Sequence, residues 1–244
     1  MGMRGVLQKQ ASQVMNTADF EYEGEKQALL PHGKGKAVWP SGKTYVGFWK
    51  EGMMFGHGHC TWPDGSHYEG EWHSNVMHGR GSYTDVYGNV YEGQFCQNER
   101  SGSGVETETN GAVYDGEWKA DKRHGYGELV LPHGAKYVGH WEHGKKQGVG
   151  VMQWPDGLAY DGDWVENQRT GHGVERWPDG SKYDGAFVDN KKQGRGTMSY
   201  PDGTKYSGEW KNDQPHGQGV LTDQMGVQWL ATYQHGIVKE KIRS

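Results

Sequence analysis

The sequence predicts an all-β protein in which tandem 23-residue β-hairpins form a single elongated, twisted antiparallel sheet. Tyrosines recur every 23 residues from Tyr22 to Tyr206, nine in all, without insertion or deletion. Glycines recur at four fixed distances after each tyrosine, and these positions account for 36 of the 41 glycines, four in each of nine repeats. Apolar and charged residues alternate around each tyrosine, as they do in a strand with one buried face.

The composition indicates a thin structure whose packing depends on aromatic side chains. Hydrophobic residues make up only 33% of the chain, which is low for a two-layer core. However, 14 Tyr and 11 Trp are too many aromatic residues for a disordered chain. We therefore expect aromatic packing on one face of a single layer.

The first strand of each repeat carries Tyr at position 0, Gly at position 2 and, in most repeats, an aromatic residue at position 4, counted from the repeating tyrosine. These residues share one parity and acidic residues such as Glu69 and Glu71 have the other, so the two sets lie on opposite faces. The first repeat has Lys26 at position 4. The other eight repeats predict an aromatic face made of Trp49, Trp72, Phe95, Trp118, Trp141, Trp164, Phe187 and Trp210.

The second strand of each repeat contains Gly-x-Gly at positions 11 and 13, for example Gly56 and Gly58. Glycine weakens a strand unless another group must approach its backbone closely, so we expect aromatic rings to lie across the glycines. In four repeats the strand is followed by Pro-Asp-Gly, as at 63–65. These residues favour a tight turn, because Pro presets φ and Gly accepts a positive φ. Each repeat is therefore predicted to be strand, loop, strand and tight turn.

The third repeat resembles a known family most clearly. Tyr68-Glu69-Gly70-Glu71-Trp72, followed by His78-Gly79-x-Gly81, is similar to the MORN repeat (membrane occupation and recognition nexus). The resemblance covers residues 22–228 and implies a repeat solenoid, a single twisted sheet curved into an open trough that serves as a scaffold.

The same register divides the chain into three parts. Residues 1–21 are expected to be an N-terminal extension, residues 22–228 the nine repeats, and residues 229–244 a degenerate tenth unit. Trp229 and Ala231 replace the Tyr and Gly of that last unit. We interpret it as a C-terminal cap, because repeat proteins need atypical terminal units.

Several classes of chemistry find no support in the sequence. The formal net charge of −5 gives no general attraction to nucleic acid. The histidines lack the spacing of metal ligands, the glycines do not form a phosphate-binding loop, and the acidic residues recur as a stripe instead of an isolated catalytic pair. We expect no enzymatic activity, no metal and no cofactor. With only Cys60 and Cys96 present, no disulfide framework is implied, and we expect a cytoplasmic, cytoskeletal protein.

Candidate binding residues are sought where the repeats differ. A loop is predicted at positions 8 and 9, and its residues change from apolar to basic along the chain. One interpretation is the ordinary drift of surface loops. The other is a partner-binding edge with an exposed apolar patch and a basic row for an acidic partner. The candidates are Met53, Met54, Val76, Met77, Arg100, Lys122, Arg123, Lys145, Lys146, Arg169, Lys191 and Lys192.

Two further surfaces are candidates. The aromatic face could hold a helix or an extended peptide, or its rings could serve packing alone. The acidic stripe is interrupted by Val46 and Phe48 in the second repeat and by Val138 and His140 in the sixth. These interruptions are either docking points or drift.

The resemblance implies a non-catalytic structural scaffold for protein–protein interactions. We expect an axonemal complex of a cilium or flagellum, such as the radial spoke head, with other protein subunits as partners. The alternative is a membrane-associated or cortical cytoskeletal scaffold whose basic row contacts anionic phospholipid. A second copy of the chain is a further candidate partner, because the end strands of an open sheet can pair.

Overall fold

The computed structural model describes residues 19–243, which form twenty β-strands and no α-helix. The strands are β1 (Glu21–Gln27), β2 (Leu30–Val38), β3 (Thr44–Lys50), β4 (Met53–Thr61), β5 (His67–His73), β6 (Val76–Thr84), β7 (Val90–Cys96), β8 (Glu99–Thr107), β9 (Val113–Lys119), β10 (Lys122–Val130), β11 (Lys136–Glu142), β12 (Lys145–Gln153), β13 (Ala159–Val165), β14 (Gln168–Arg176), β15 (Lys182–Val188), β16 (Lys191–Ser199), β17 (Lys205–Lys211), β18 (Gln214–Thr222), β19 (Gln228–Gln234) and β20 (Ile237–Arg243). They belong to one antiparallel sheet, so the predicted all-β fold of tandem hairpins is confirmed.

The chain divides into two compact units, one ending at Arg123 and the other beginning at His124. Both units are built from the same hairpin, which pairs a strand of seven residues with a strand of nine, as in β3 and β4. Most of the predicted N-terminal extension, residues 1–18, lies outside the described residues.

The turn inside each hairpin lies two residues earlier than the sequence predicts. It occupies positions 6 and 7, and both residues have positive φ, 49° at Ser74 and 68° at Asn75. This is the geometry of a type I′ turn, whose twist matches that of the flanking strands. The predicted loop at positions 8 and 9 is therefore wrong, because those two residues begin the second strand, as Met53 and Met54 do.

The turn between successive repeats agrees with its sequence signal. Gly65 donates its N–H to the carbonyl of Trp62 at 3.0 Å, and Trp62 donates to the carbonyl of Ser66 at 2.9 Å. The Asp64 carboxylate accepts hydrogen bonds from the backbone N–H and the hydroxyl of Ser66, and these bonds lower the pKa of Asp64. The Pro-Asp-Gly segment thus forms the predicted tight turn.

Glycines at positions 2 and 13 lie opposite one another across the strands, and the position-0 tyrosine covers them. Gly58 pairs with Gly47 in its own repeat and with Gly70 in the next. A Cβ placed on Gly58 would stand 2.2 Å from the hydroxyl oxygen of Tyr45, so the ring lies directly on the glycine backbone. The prediction that aromatic rings cross these glycines is confirmed, and the rings are those of the tyrosines.

Each tyrosine is fixed by a hydrogen bond as well as by its contact with glycine. The Tyr45 hydroxyl donates to the carbonyl oxygen of Phe48 at 3.0 Å, and the equivalent bond recurs through the repeats. Burial raises the pKa of Tyr91 to about 12, because a phenolate in this layer would lack water. The tyrosines are therefore structural and not poised for proton transfer.

The acidic residue at position 3 supports the backbone next to these glycines. The second strand bulges at position 11, where Gly79 has a φ of +64°. The Glu71 carboxylate accepts the N–H of Arg80 in this bulge at 3.1 Å, and Asp163 accepts that of His172 at 2.9 Å. Part of the acidic stripe thus has a structural role, since it satisfies N–H groups that the bulge leaves out of the ladder.

In six hairpin turns a side chain joins one repeat to the preceding one. The Asn190 side-chain oxygen accepts the backbone N–H of Arg169 at 2.9 Å, and Asn190 donates its own N–H to the Arg169 carbonyl at 3.0 Å. The same bond is made by the Asn or Asp at residues 75, 98, 121, 167, 190 and 213.

Glycine replaces the Asn or Asp at residues 52, 144 and 236, and at two of these turns the facing residue is a proline. Gly52 and Gly236 occupy the turn position, and each donates its N–H to the carbonyl of a proline, Pro31 and Pro215 respectively. Proline has no N–H, so an Asn or Asp oxygen in the facing turn would have no backbone donor.

The two ends of the described chain are covered by different means. Phe20 is buried with its ring centroid 4.9 Å from that of Trp39 and 5.7 Å from that of Trp49. Residues from Gln228 onward form the hairpin β19–β20, in which the Lys241 ammonium lies 4.3 Å from the Trp229 ring centroid. The exposed final strand is rich in lysine, which discourages pairing with another strand.

Replacing a glycine beneath a tyrosine should destabilise the sheet. For Gly58→Ala we expect a loss of about 2 kcal/mol in the free energy of unfolding, because the new methyl group collides with Tyr45. Gly65→Ala is the control, since it has a φ of +89° but no atom within 4 Å of the added Cβ, and it should lose only about 1 kcal/mol. Chemical denaturation followed by circular dichroism measures both, and equal losses would contradict the tyrosine contact.

Removing a turn side chain should weaken one junction. Asn190→Gly keeps the positive φ but removes the acceptor for Arg169, so we expect a loss of about 1 kcal/mol in the free energy of unfolding. Gly52→Asn is the matched reverse change and should give no comparable gain, because Pro31 has no N–H to donate. A similar gain from Gly52→Asn would show that the hydrogen bond is not the cause.

Candidate partner-binding face

The predicted aromatic face exists, and its position-4 rings are core residues of the sheet. Trp72 is 4% exposed and meets Tyr68 and Tyr45 edge to face, with ring centroids 5.2 and 5.4 Å apart. Its indole N–H donates to the carbonyl of Gly58 at 3.0 Å. Such rings have little surface left for a partner, so their first role is to hold neighbouring repeats together.

A second aromatic row on the same face is more accessible. Its position-17 residues are Trp39 and Trp62 in the first unit and Trp154, Trp177 and Tyr200 in the second, and all are half-buried or exposed. The Tyr200 ring is 45% exposed. These residues are not among the binding residues that the sequence predicts. They are the aromatic surface that a partner can reach.

The apolar part of the predicted binding edge is not an exposed patch. Met54 and Met77 are each 1% exposed, Val76 is buried, and Met53 is half-buried. The early turn is the physical reason, because it moves position 9 into a strand and points it onto the aromatic face. The expectation of an exposed apolar patch at these four residues is therefore wrong.

The basic part of the predicted edge separates into two sets. At position 8, Lys122, Lys145 and Lys191 are exposed, and Lys145 pairs with Glu166 at 3.1 Å. The other five basic residues, at position 9, lie on the aromatic face and not on an edge: Arg100, Arg123, Lys146, Arg169 and Lys192.

The position-9 cations lie over aromatic rings. The Arg100 guanidinium carbon is 4.1 Å from the Trp118 ring centroid and 5.5 Å from that of Tyr91. The Lys192 ammonium is 4.2 Å from the Trp177 ring centroid and 5.2 Å from that of Tyr183. Cations in these places are attracted by the ring faces and cover rings that would otherwise face water.

In the first unit, a carboxylate at position 15 pairs with two of these cations. Glu106 pairs with Arg100 of its own repeat and, at 2.9 Å, with Arg123 of the next. Asp121 and Glu108 add further carboxylates, Asp121 to Arg100 at 3.4 Å and Glu108 to Arg123 at 2.9 Å. In this part of the aromatic face each cation is thus paired with two carboxylates.

The second unit repeats the arrangement with fewer acids. Glu175 is 6% exposed and pairs with Arg169 at 2.5 Å and with Lys192 at 3.2 Å. The sequence contained a signal for this cluster, since Glu occurs at position 15 only where basic residues occupy position 9 of the same and the next repeat.

The opposite, charged face has two apolar interruptions. Val46 and Phe48 are exposed in the second repeat. In the sixth repeat His140 meets the exposed ring of Tyr126 at 5.5 Å, and Val149 is exposed beside them. The structure thus places the interruptions on an accessible surface.

Two observations limit the chemistry of the described residues. Across residues 19–243, no group of three or more His, Cys, Asp or Glu side chains is arranged to hold a metal ion. No helix in this part of the chain has the length and apolar character needed to cross a membrane.

The repeat can now be compared with known families. The model of the MORN repeat matches residues 22–44, 45–67, 68–90, 91–113, 114–135, 137–159, 160–182, 183–205 and 206–228. The chain is a MORN-repeat protein. Its matched repeats begin at the nine tyrosines that cover the glycines, so the family pattern and the packing of the sheet coincide.

Solved structures similar to this MORN-repeat chain include a centriolar protein domain. The TCP10 domain of Danio rerio CPAP in complex with a peptide of Danio rerio STIL has a TM-score of 0.52 and 14% identity, covering 88% of this chain and 97% of that one. The Drosophila melanogaster SAS-4 (dCPAP) TCP domain in complex with a proline-rich motif of Ana2 has a TM-score of 0.42 and 13% identity, covering 75% and 99%. No curated protein matches the chain. At these identities the likeness concerns the fold alone.

Removing the shared carboxylate of the second unit should destabilise it. Glu175→Met leaves Arg169 and Lys192 close together without the carboxylate that they share, and we expect a loss of about 3 kcal/mol in the free energy of unfolding. Adding Arg169→Met and Lys192→Met should recover most of it, because Met54 and Met77 show that position 9 accepts methionine. Chemical denaturation measures all variants, and an unchanged stability of Glu175→Met would contradict the coupling.

Proposed function

We propose that this MORN-repeat protein is a non-catalytic structural scaffold of a ciliary or flagellar axonemal complex, such as the radial spoke head, and that its aromatic face binds segments of other subunits. The observation that carries the proposal is the accessible row of position-17 aromatic rings beside the position-9 cations. MORN repeats are typical of interaction or membrane-associated scaffolds. In this proposal the repeats provide similar aromatic binding sites, and the sequences of the partner segments decide which subunit binds.

The spacing of the aromatic row suits an extended peptide. Consecutive position-17 rings are separated by two strands, or about 9.6 Å. Three residues of a polyproline II helix rise about 9.3 Å, so every third side chain of such a peptide would meet a ring. The TCP10 domain of CPAP, which has a similar fold, has been solved in complex with a peptide.

The proposal is tested by photo-crosslinking in ciliated cells. The photoreactive residue benzoylphenylalanine is placed at Tyr200, on the aromatic face, or at Tyr126, on the charged face, so both variants replace an exposed tyrosine. We expect the tagged chain in axonemes after detergent extraction, and crosslinks to axonemal subunits from position 200 but not from position 126. A diffuse cytosolic signal would contradict the axonemal role, and crosslinks from position 126 alone would contradict the choice of face.

The alternative, a membrane-associated or cortical scaffold, has one favourable observation: the exposed position-8 lysines Lys122, Lys145 and Lys191. Each could contribute about 1 kcal/mol near an anionic surface. Liposome flotation with and without phosphoinositide separates the two functions. Flotation that requires phosphoinositide and is lost when the three lysines are changed to Glu would favour the membrane role.

A further inference from the structure

Lys146 differs from the other position-9 cations of the aromatic face. Its ammonium group lies 4.9 Å from the ring centroids of both Tyr137 and Trp164. It donates a hydrogen bond to the sulfur of Met152 at 3.7 Å. Among residues 19–243, no carboxylate pairs with it. Burial beside the rings lowers the pKa of Lys146, as expected for a cation that lacks an opposite charge.

The other cations of this row have acidic residues at particular positions of the repeat. Around Lys146, the residues at those positions are neutral. Position 15 of its own repeat is Met152, where Glu106 and Glu175 stand in other repeats. Positions 15 and 17 of the preceding repeat are Leu129 and Leu131, the places from which Glu106 and Glu108 reach Arg123.

The turn residue that holds the Lys146 backbone is neutral as well. Asn167 accepts the Lys146 N–H at 2.8 Å, whereas Asp121 and Asp213 make the equivalent bond to Arg100 and Lys192. Four independent positions thus leave the same cation without a counter-charge. A half-buried, uncompensated charge is costly, and a charge supplied by a ligand relieves that cost.

We propose that Lys146 is a recognition site for an acidic side chain of the bound partner, whose Asp or Glu carboxylate meets the ammonium between the Tyr137 and Trp164 rings. The inference rests on the aromatic face being the partner-binding surface, and it adds the chemical identity of one contact. The favoured class of ligand is a carboxylate, because carboxylates satisfy the equivalent cations at 2.5 to 3.2 Å elsewhere on this face. The partner is therefore an extended segment with an acidic residue at a fixed place.

The site is tested with peptides selected on the full-length chain. A phage library of random 12-residue peptides is panned on the purified protein, and the strongest binder is synthesised with its acidic residue intact or changed to the amide. We expect Asp or Glu to be enriched at one position of the selected peptides. The Lys146→Met variant should bind the acidic peptide at least tenfold more weakly than the wild type, and it should bind the amide peptide as the wild type does.

Two control variants, at Lys145 and at Tyr200, make the outcome of the Lys146→Met measurement specific. Lys146→Met should fold, because Met54 and Met77 occupy the same position in other repeats. Lys145→Met removes the same charge from the adjacent, exposed residue and should leave binding unchanged; Met53 occupies that position in the second repeat. Tyr200→Ala removes an exposed ring from the aromatic face and reports on the use of that face without altering Lys146.

The outcomes separate this inference from the proposed function. Peptides that lose affinity with Tyr200→Ala but bind Lys146→Met as tightly as the wild type would overturn the carboxylate site and leave the binding face intact. Failure to select any peptide, or selected peptides insensitive to both variants, would overturn the carboxylate site and also count against the peptide-binding face.

Discussion

A tyrosine ring lying across paired glycines is the contact on which the rest of the sheet depends. At Gly58 there is no room for even a methyl group beneath Tyr45, so the ring and the backbone form one layer. The tyrosine then presents its edge to Trp49 and Trp72, which lock one repeat to the next. A single sheet has no second layer to bury its apolar residues, and rings lying flat on the backbone supply the missing cover. This explains how a chain with 33% hydrophobic residues forms an ordered sheet.

The regular features of the fold could be predicted because each depends on residues close together in the sequence. The alternation around Tyr68, the spacing of Gly79 and Gly81, and the Pro63-Asp64-Gly65 turn are all local signals. The hairpin turn was misplaced because its usual signal, Asn-Gly, is absent. Pairs such as Ser74-Asn75 adopt positive φ at both residues, which few non-glycine residues do. The position of the turn decides which face the next residues occupy, since neighbouring strand residues point to opposite sides.

The earlier position of the hairpin turn changes which face of the sheet the variable basic residues occupy. The sequence shows that basic residues distinguish some repeats from others. In the structure, however, Arg100 and Lys192 lie over aromatic rings instead of along an edge. Arg100 pairs with Glu106 of its own strand, whereas Lys192 pairs with Glu175 two strands away, and the sequence alone does not show which Glu meets which cation. Once the register is known, the co-occurrence of Glu106 with Arg100 and Arg123 becomes a pattern. The same register shows that Lys146 has no acidic partner of this kind among residues 19–243.

The pairing of Pro31 with Gly52 and of Pro215 with Gly236 has a consequence for how such a chain can grow. Six junctions use an amide or carboxylate that meets a backbone N–H, so a repeat that carries both the acceptor at position 7 and the donor at position 9 fits a neighbour of the same kind. The proline junctions near either end do not share this complementarity. Duplication of such a 23-residue unit would create compatible neighbours, whereas copying a proline-bearing unit inward would leave an acceptor unmatched. Lengthening of the array by gene duplication is therefore easiest from within, with the outermost units carried along unchanged.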